Sequence, residues 1–433
     1  LPDMAGLQCI AGHDAAHSVR EIQERGMDIG PIWRAMLRNK AGFILIALQM
    51  AVTLTILVNA FGIIQENSRK ISADSGLDEA NTFTLGSVLF TDYEREQRMA
   101  LIDEDLDLIR STPGVVNATA SNSFPLRQGG WSMGLALEPG NQTAETVGTA
   151  IYFVDEHGLE TFDVELIEGR NFAPEQITWD DPEINTWPAY GIITEELARQ
   201  MFPDETVSYV GKTVFINDED PVSIIGVIDK LQSPWPNWND VVERSMLVPQ
   251  RRASEFVRYI IRTEPGMRDQ LMPDIEAALA ASNKDRIIRD VTTMDETRRL
   301  AYVGDSALIK ILSFVVLLLT IITGLGIVGL ASFNVSRRTR QIGIRRALGA
   351  TRPAIVRYFL IENTIVSAIG LVVGGGLAIA LNMAMVEAFS IEPLAWYVIP
   401  VGMLTLWLVG QAAVAGPARR ASNITPAIAT RSS

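Results

Sequence analysis

Residues 41–64 read AGFILIALQMAVTLTILVNAFGII, twenty-four positions without one charged side chain. A helix crossing a hydrocarbon core of roughly 30 Å needs about 20 apolar residues, so this stretch is long enough to span a membrane. Three further runs qualify. The second is uncharged from Ile311 to Val335, with Lys310 at its edge, where a long side chain can snorkel toward the interface. The third covers Asn363–Val386 and the fourth Pro393–Ala418. With their flanks, the spans are expected at 41–64, 306–335, 358–386 and 393–418.

Charge sorts along the chain in the same way. The 433 residues carry a formal net charge of -14, with 48% hydrophobic and 20% charged residues. Residues 65–305 hold 43 acidic and 21 basic side chains, a net of -22, which leaves the remainder at +8. Such sorting fits a protein whose two sides face different compartments. Arg34, Arg38 and Lys40 precede the first run. Seven arginines and no acid occupy 336–357 between the second and third, and Arg419 and Arg420 follow the fourth. By the positive-inside rule these segments, and with them both termini, lie inside. Residues 65–305 and the short loop 387–392, with Glu387 and Glu392, then lie outside.

Composition excludes several chemistries. A single cysteine, Cys9, permits no internal disulfide, and three histidines (His13, His17, His157) are too scattered for a metal or acid–base cluster. Residues 1–26 are polar, lack the apolar run of a signal peptide, and are expected to be a disordered extension. Residues 27–40 read as an interfacial amphipathic helix, with Trp33, Met36 and Leu37 at i, i+3 and i+4 opposite Arg34, Arg38 and Lys40. Val210-Gly211-Lys212-Thr213 mimics the end of a phosphate-binding loop. The glycine that motif needs five positions earlier is Thr206 here, so Gly211-Lys212 reads as a turn. No catalytic triad or Walker motif appears.

The outer segment reads as an α+β unit. Met99, Ile102, Leu106 and Ile109 form a helical stripe within 92–110, stopped by Pro113-Gly114. Tyr190–Thr194 and Val222–Ile228 read as strands, with Thr194 as N-cap of a helix over 195–202. Another helix is expected over 267–282, or from a first turn at Pro273, and a last helix leads from Thr293 into the second span. Trp235 and Trp238, in the turn SPWPNW, either grip a partner outside the membrane or pin the loop to its own domain. In the third span Gly370 and Gly374 form a GxxxG pair, a packing face within a bundle or between copies. Incidental glycine enrichment, common in membrane helices, is the alternative to this packing face.

The segment 336–351 reads SRRTRQIGIRRALGAT. Physically it is a short basic helix closed by Gly349, after which Thr351 and Pro353 restart a helix into the third span. This stretch, with the following Phe359–Val366, resembles the FtsX/MacB-type permease domain of ABC transporters. Pro417–Ala427 is similar to that family's closing segment, and Gly158–Arg170 and Ile192–Phe202 resemble its MacB-like periplasmic core. The resemblance covers nearly everything from residue 31 onward. It implies four membrane helices with an α+β periplasmic domain inserted between helices 1 and 2, in a bacterial inner membrane with cytoplasmic termini.

It also implies roles. Arg337, Arg338, Arg340, Gln341, Ile342, Gly343, Ile344, Arg345, Arg346, Ala347, Leu348 and Gly349 would form the coupling region that meets an ABC ATPase. Gln341 departs from the family, which often has Glu there. ATP and magnesium would be bound by that separate ATPase chain and no cofactor by this one, making it a non-enzymatic permease subunit of a type VII (mechanotransmission) transporter. Two such chains, alike or merely similar, would pair in the lipid. A periplasmic membrane-fusion protein and an outer-membrane channel are further expected partners, and nucleic acid is not. Export of antibiotics, peptides or toxins is the leading expectation. Lipoprotein extraction and FtsX-like regulation of a cell-wall hydrolase remain open beside it.

Overall fold

An uninterrupted helix, α1 (Lys40–Ser72), begins the described backbone and contains the first apolar run. The computed structural model describes residues 40–140, 146–180, 187–205, 207–216, 220–389 and 393–425. The expected extension 1–26, the interfacial helix before Lys40, Thr206, Glu392 and the tail from 426 lie outside the described residues. After α1 come β1 (Thr82–Leu89), α2 (Arg95–Arg110), β2 (Val115–Ala120), β3 (Trp131–Ala136) and β4 (Val147–Val154). Then follow α3 (Gly158–Phe162), β5 (Leu166–Gly169), β6 (Thr178–Trp179), β7 (Tyr190–Thr194), α4 (Glu195–Met201) and β8 (Thr213–Ile216). Next are β9 (Asp220–Ile228), β10 (Ser245–Arg251), β11 (Phe256–Thr263), α5 (Arg268–Ser282), β12 (Arg286–Thr293) and α6 (Met294–Ala301). The chain closes with α7 (Val303–Arg337), α8 (Thr339–Ala347), α9 (Arg352–Phe389) and α10 (Val398–Ser422). Two compact units result, one from residues up to 67 and from 308 onward, the other from 68–307.

In the first unit, α1, α7, α9 and α10 are each long and apolar enough to cross a membrane. At 1.5 Å per residue the 33 residues of α1 extend about 50 Å, well beyond a hydrocarbon core. Met50, Leu54, Val58, Ile327, Val366, Leu406 and Val414 form the shared core. Small residues bring two helices close. A Cβ added at Gly370 would stand 2.5 Å from the Ala47 carbonyl oxygen, and one at Gly374 2.7 Å from that of Ala51. The GxxxG pair therefore packs α9 on α1 within one chain. Interhelical polar contacts join this apolar packing: Thr53 and Thr323 hydroxyls lie 2.8 Å apart, and Asn59 Nδ2 donates to the Ala378 carbonyl at 3.3 Å.

The second unit has two sheets. The first is antiparallel, in the order β12-β1-β11-β2. Alternation puts Phe83, Leu85, Tyr259 and Ile261 on one face, where Ile102, Leu106, Ile109, Leu271, Ile275 and Leu279 of α2 and α5 cover them. In the second sheet the strands run β4-β3-β8-β9-β7-β10-β6, with β5 beside β9. Parallel pairing of β10 with β4 closes six of these strands into a ring, which removes the open edge each would otherwise present.

Several local expectations change. Thr194 precedes α4 but does not cap it through its side chain; its Oγ1 donates to the Glu243 carbonyl at 2.9 Å instead. Pro273 stands inside α5 rather than in its first turn, because Arg268–Met272 already form a turn ahead of it. The helix expected to run from Thr293 into the second span is interrupted at Tyr302 (φ -107, ψ 18). Thr293 does cap α6, accepting from the Glu296 N–H at 3.2 Å. Gly211 takes φ +85 and Lys212 pairs with Glu205, so this segment is a turn with its lysine engaged.

Candidate functional site

The basic segment between the second and third long helices is almost wholly helical. α7 ends at Arg337, Arg338 takes a non-helical conformation (φ -102, ψ 9), and α8 begins at Thr339. At its far end Gly349 adopts φ +99. The Gly349 N–H donates to the Arg346 carbonyl at 3.2 Å and the Ala350 N–H to that of Arg345 at 3.0 Å. This is the paired geometry that closes a helix through a left-handed glycine. Thr351 then restarts the chain, its Oγ1 accepting from the Ala354 N–H at 3.4 Å. α9 begins at Arg352, so the stretch expected as a loop over 336–357 contains only a four-residue connection between two helices.

The twelve residues expected to form a coupling region divide into two sets. Ile342 and Gly343 are buried against the bundle. Arg338 donates through Nη1 to both Glu362 carboxylate oxygens, at 2.9 and 3.0 Å. Arg346 Nη1 donates to the Ser422 and Ile424 carbonyls, both at 2.8 Å, at the end of α10 where the last carbonyls have no helical partners. These residues hold α8 from two sides. The outward set is Arg337, Arg340, Gln341, Ile344, Arg345, Ala347, Leu348 and Gly349, all exposed. Leu348 is 84% exposed and Ile344 50%, an apolar edge with no cover among the described residues. Arg337 lies over the Phe333 ring at 4.8 Å and Arg345 over Tyr358 at 4.9 Å, which spreads their guanidinium planes along the surface. The arrangement is a short, anchored helix that exposes arginines and two aliphatic side chains.

Glu362 escapes a reading of the arginines alone, because it stands 24 positions after Arg338, at the start of an apolar run. Its buried carboxylate lines a cavity of about 30 Å³ with Asn334, Asn363, Phe43 and Val414. In the outer unit, Trp235 and Trp238 stack at 4.7 Å with an interplanar angle of 15°. Trp235 packs on the core around Tyr152 and Leu247, while Trp238 is 52% exposed. The first ring thus pins the loop and the second rides on it. Among the described residues, no group of three His, Cys, Asp or Glu side chains is placed to hold a metal.

Two family models match the chain. The MacB-like periplasmic core domain covers residues 43–278, and the FtsX-like permease C-terminal domain covers residues 313–426. Among curated relatives, the uncharacterized ABC transporter permease YknZ of Bacillus subtilis is 29% identical over 260 residues, 59% of this chain and 64% of that protein. The macrolide export ATP-binding/permease protein MacB of Shewanella oneidensis is 23% identical over 383 residues, 82% of this chain and 52% of that protein. MacB of Salmonella typhi is 25% identical over 359 residues, 81% of this chain and 51% of that protein. The chain thus spans about half to two-thirds of the length of these relatives. The solved extracellular domain of YknZ from Gram-positive bacteria aligns over 48% of this chain and 100% of its own, at 18% identity and a TM-score of 0.30.

Proposed function

Since the chain belongs to the family of the MacB-like periplasmic core domain, joined to an FtsX-like permease C-terminal domain, we propose that it is the force-converting permease of an ATP-driven export complex. In this reading α8 lies on the cytoplasmic side of an inner membrane and receives the push of a separate ABC ATPase, which binds the ATP and magnesium. The helices carry that motion to residues 68–307 in the periplasm. Two copies of the chain, or this chain and a similar permease, share the membrane. α7 supports a lateral contact of that kind, since Phe314, Leu317, Ile321 and Leu325 are all exposed.

One observation carries the coupling assignment: α8 is anchored on its inner face and left open on its outer face. An anchored helix passes displacement into the bundle, whereas a free one would absorb it. Arg338 and Arg346 serve the anchor, so charge reversal at Arg346 would test the fold as well as the contact. The cleaner variants are Arg340→Glu and Leu348→Asp, on the exposed side. Each is expected to abolish co-purification of the co-expressed ATPase while leaving the permease's yield and thermal unfolding unchanged. Full retention of the ATPase by both variants would overturn the assignment. The periplasmic output is read as export of an antibiotic, peptide or toxin, in keeping with relatives named as macrolide export proteins.

A further inference from the structure

Arg258 is an anomaly in the outer unit. It sits mid-strand in β11, 7% exposed, with buried residues on either side. Arginine is almost never this buried unless paired. Yet its guanidinium makes no hydrogen bond and no ion pair among the described residues; its neighbours are the rings of Phe256, at 4.7 Å, and Phe124, at 5.8 Å. A buried cation without a hydrogen-bonded partner is costly, and Asp290 offers Arg258 only a through-space attraction. Burial first, then repulsion from Arg127, lowers its pKa to about 10. The charge nevertheless persists at neutral pH.

The surroundings show where that cation points. Strand alternation sends Val257, Tyr259 and Ile261 into the helix-covered core, leaving Arg258 on the opposite face. Its cross-strand partner is Gly86, which contributes no side chain. A bulge between Thr84 and Gly86 displaces β12 locally, and Asp290 there takes φ +54. The result is a cavity of about 360 Å³ lined by Arg258, Arg127, Gln128, Thr84, Thr292 and Leu126. Arg258 also walls a second cavity of about 210 Å³, with Trp131, Phe153, Arg252 and Ser254. Asp290 is the carboxylate in the first lining. It is held by Arg289 Nε at 3.0 Å and makes no ion pair with Arg258. Arg127 donates Nη1 to the Gly129 carbonyl at 3.0 Å, which leaves its other donors available.

We infer that these cavities form a ligand site in which Arg258 and Arg127 bind the anionic group, carboxylate or phosphate, of a molecule with an apolar body. The first cavity, about 360 Å³, is by itself within the range of small-molecule pockets. Forked guanidinium donors suit such planar or tetrahedral anions, while Leu126 and Phe124 on one side and Trp131 and Phe153 on the other receive apolar substance. The site lies wholly within residues 68–307 and stands independently of the ATPase-coupling assignment.

The test uses the full chain in detergent micelles, titrated calorimetrically with 4-bromobenzoate, with the uncharged 4-bromobenzamide, and with inorganic phosphate. The carboxylate is expected to bind saturably and at least tenfold tighter than the amide, since a charge-assisted bond is lost in the neutral analogue. Phosphate binding in place of carboxylate binding would support the same site and identify a phosphorylated ligand. Arg258→Met should weaken anion binding at least tenfold while leaving the ligand-free melting temperature unchanged or raised, because a buried charge without a hydrogen-bonded partner is removed. Arg127→Gln, with Arg258 intact, should weaken it severalfold and serves if the first variant does not fold. No saturable anion binding to the wild type, equal binding of the amide, or undiminished binding to both variants would each overturn the inference.

Discussion

Glu362→Gln isolates the tie between α8 and the membrane bundle. An isolated helix shorter than about 12–15 residues is marginal in water, and α8 has nine. Its persistence therefore rests on Ile342, Gly343, the Arg346 clasp and the Arg338–Glu362 pair. The last is geometrically strong, with two contacts of 2.9 and 3.0 Å between side chains only 16% and 7% exposed. At an effective dielectric constant near 20 and about 3 Å, the Coulomb attraction is roughly 5–6 kcal/mol. Desolvation cancels much of it in the intact pair, but removing one charge leaves the other stranded, at about 3–5 kcal/mol for a buried pair. Gln retains an acceptor oxygen for Arg338, and Arg338 keeps some access to water. About 2–3 kcal/mol is the expected cost, or roughly a 30- to 150-fold shift. Hydrogen exchange on the detergent-solubilised chain reads it directly: amides of Thr339–Ala347 should exchange at least 30-fold faster in Glu362→Gln. Arg338→Met should add little further in that background, since the pair acts as a unit. Protection within twofold of wild type, or additive effects of the two substitutions, would refute the reasoning.

Two further outcomes follow from named contacts. Gly374→Ala should destabilise the membrane unit by about 1–3 kcal/mol, because its methyl meets the Ala51 backbone, whereas Gly376→Ala, with nothing within 4 Å, should be near neutral; thermal unfolding in detergent separates them. Asp155 in the outer unit titrates below the ordinary carboxylate range: burial pushes its pKa up, but Arg110, Arg251 and the Thr119 hydroxyl outweigh it. A depressed folded pKa means that the stabilisation is present above about pH 4 and fades as pH falls through the lower folded value, so Asp155→Asn should flatten that acid limb of the unfolding curve.

The membrane helices were legible because hydrocarbon imposes a length and a composition that nothing else in the chain satisfies. The same holds for the α8 turn: arginines interrupted by Ile342 and Ile344, then a glycine, leave few alternatives. What stayed hidden depends on tertiary proximity. Glu362 looks like the polar edge of an apolar run until α9 folds back beside Arg338. Thr194 has the sequence of an N-cap, but the Glu243 carbonyl, in the turn before β10 and 49 positions away, takes its hydroxyl. The ring of strands requires β4 and β10 to pair across some ninety residues, and no local pattern encodes that closure. Arg258 is the sharpest case: its alternation with Val257 and Tyr259 marks it as outward-facing, and only the assembled fold reveals that outward there leads into a cavity.

Both polypeptide links between the membrane unit and the outer unit are helical where they cross the boundary. α1 continues through Ser72 without a break, a shaft of about 50 Å whose far end shifts by roughly 4 Å for every 5° of tilt. The return link, α7, is likewise unbroken from Val303 into the membrane unit, and the turn at Tyr302, where α6 stops, lies within the outer unit. Under the proposed function, these two continuous helices would carry tilt of the membrane helices into the outer unit. A few glycines inserted between Val303 and Ala307 should then leave α1 intact and let the motion dissipate.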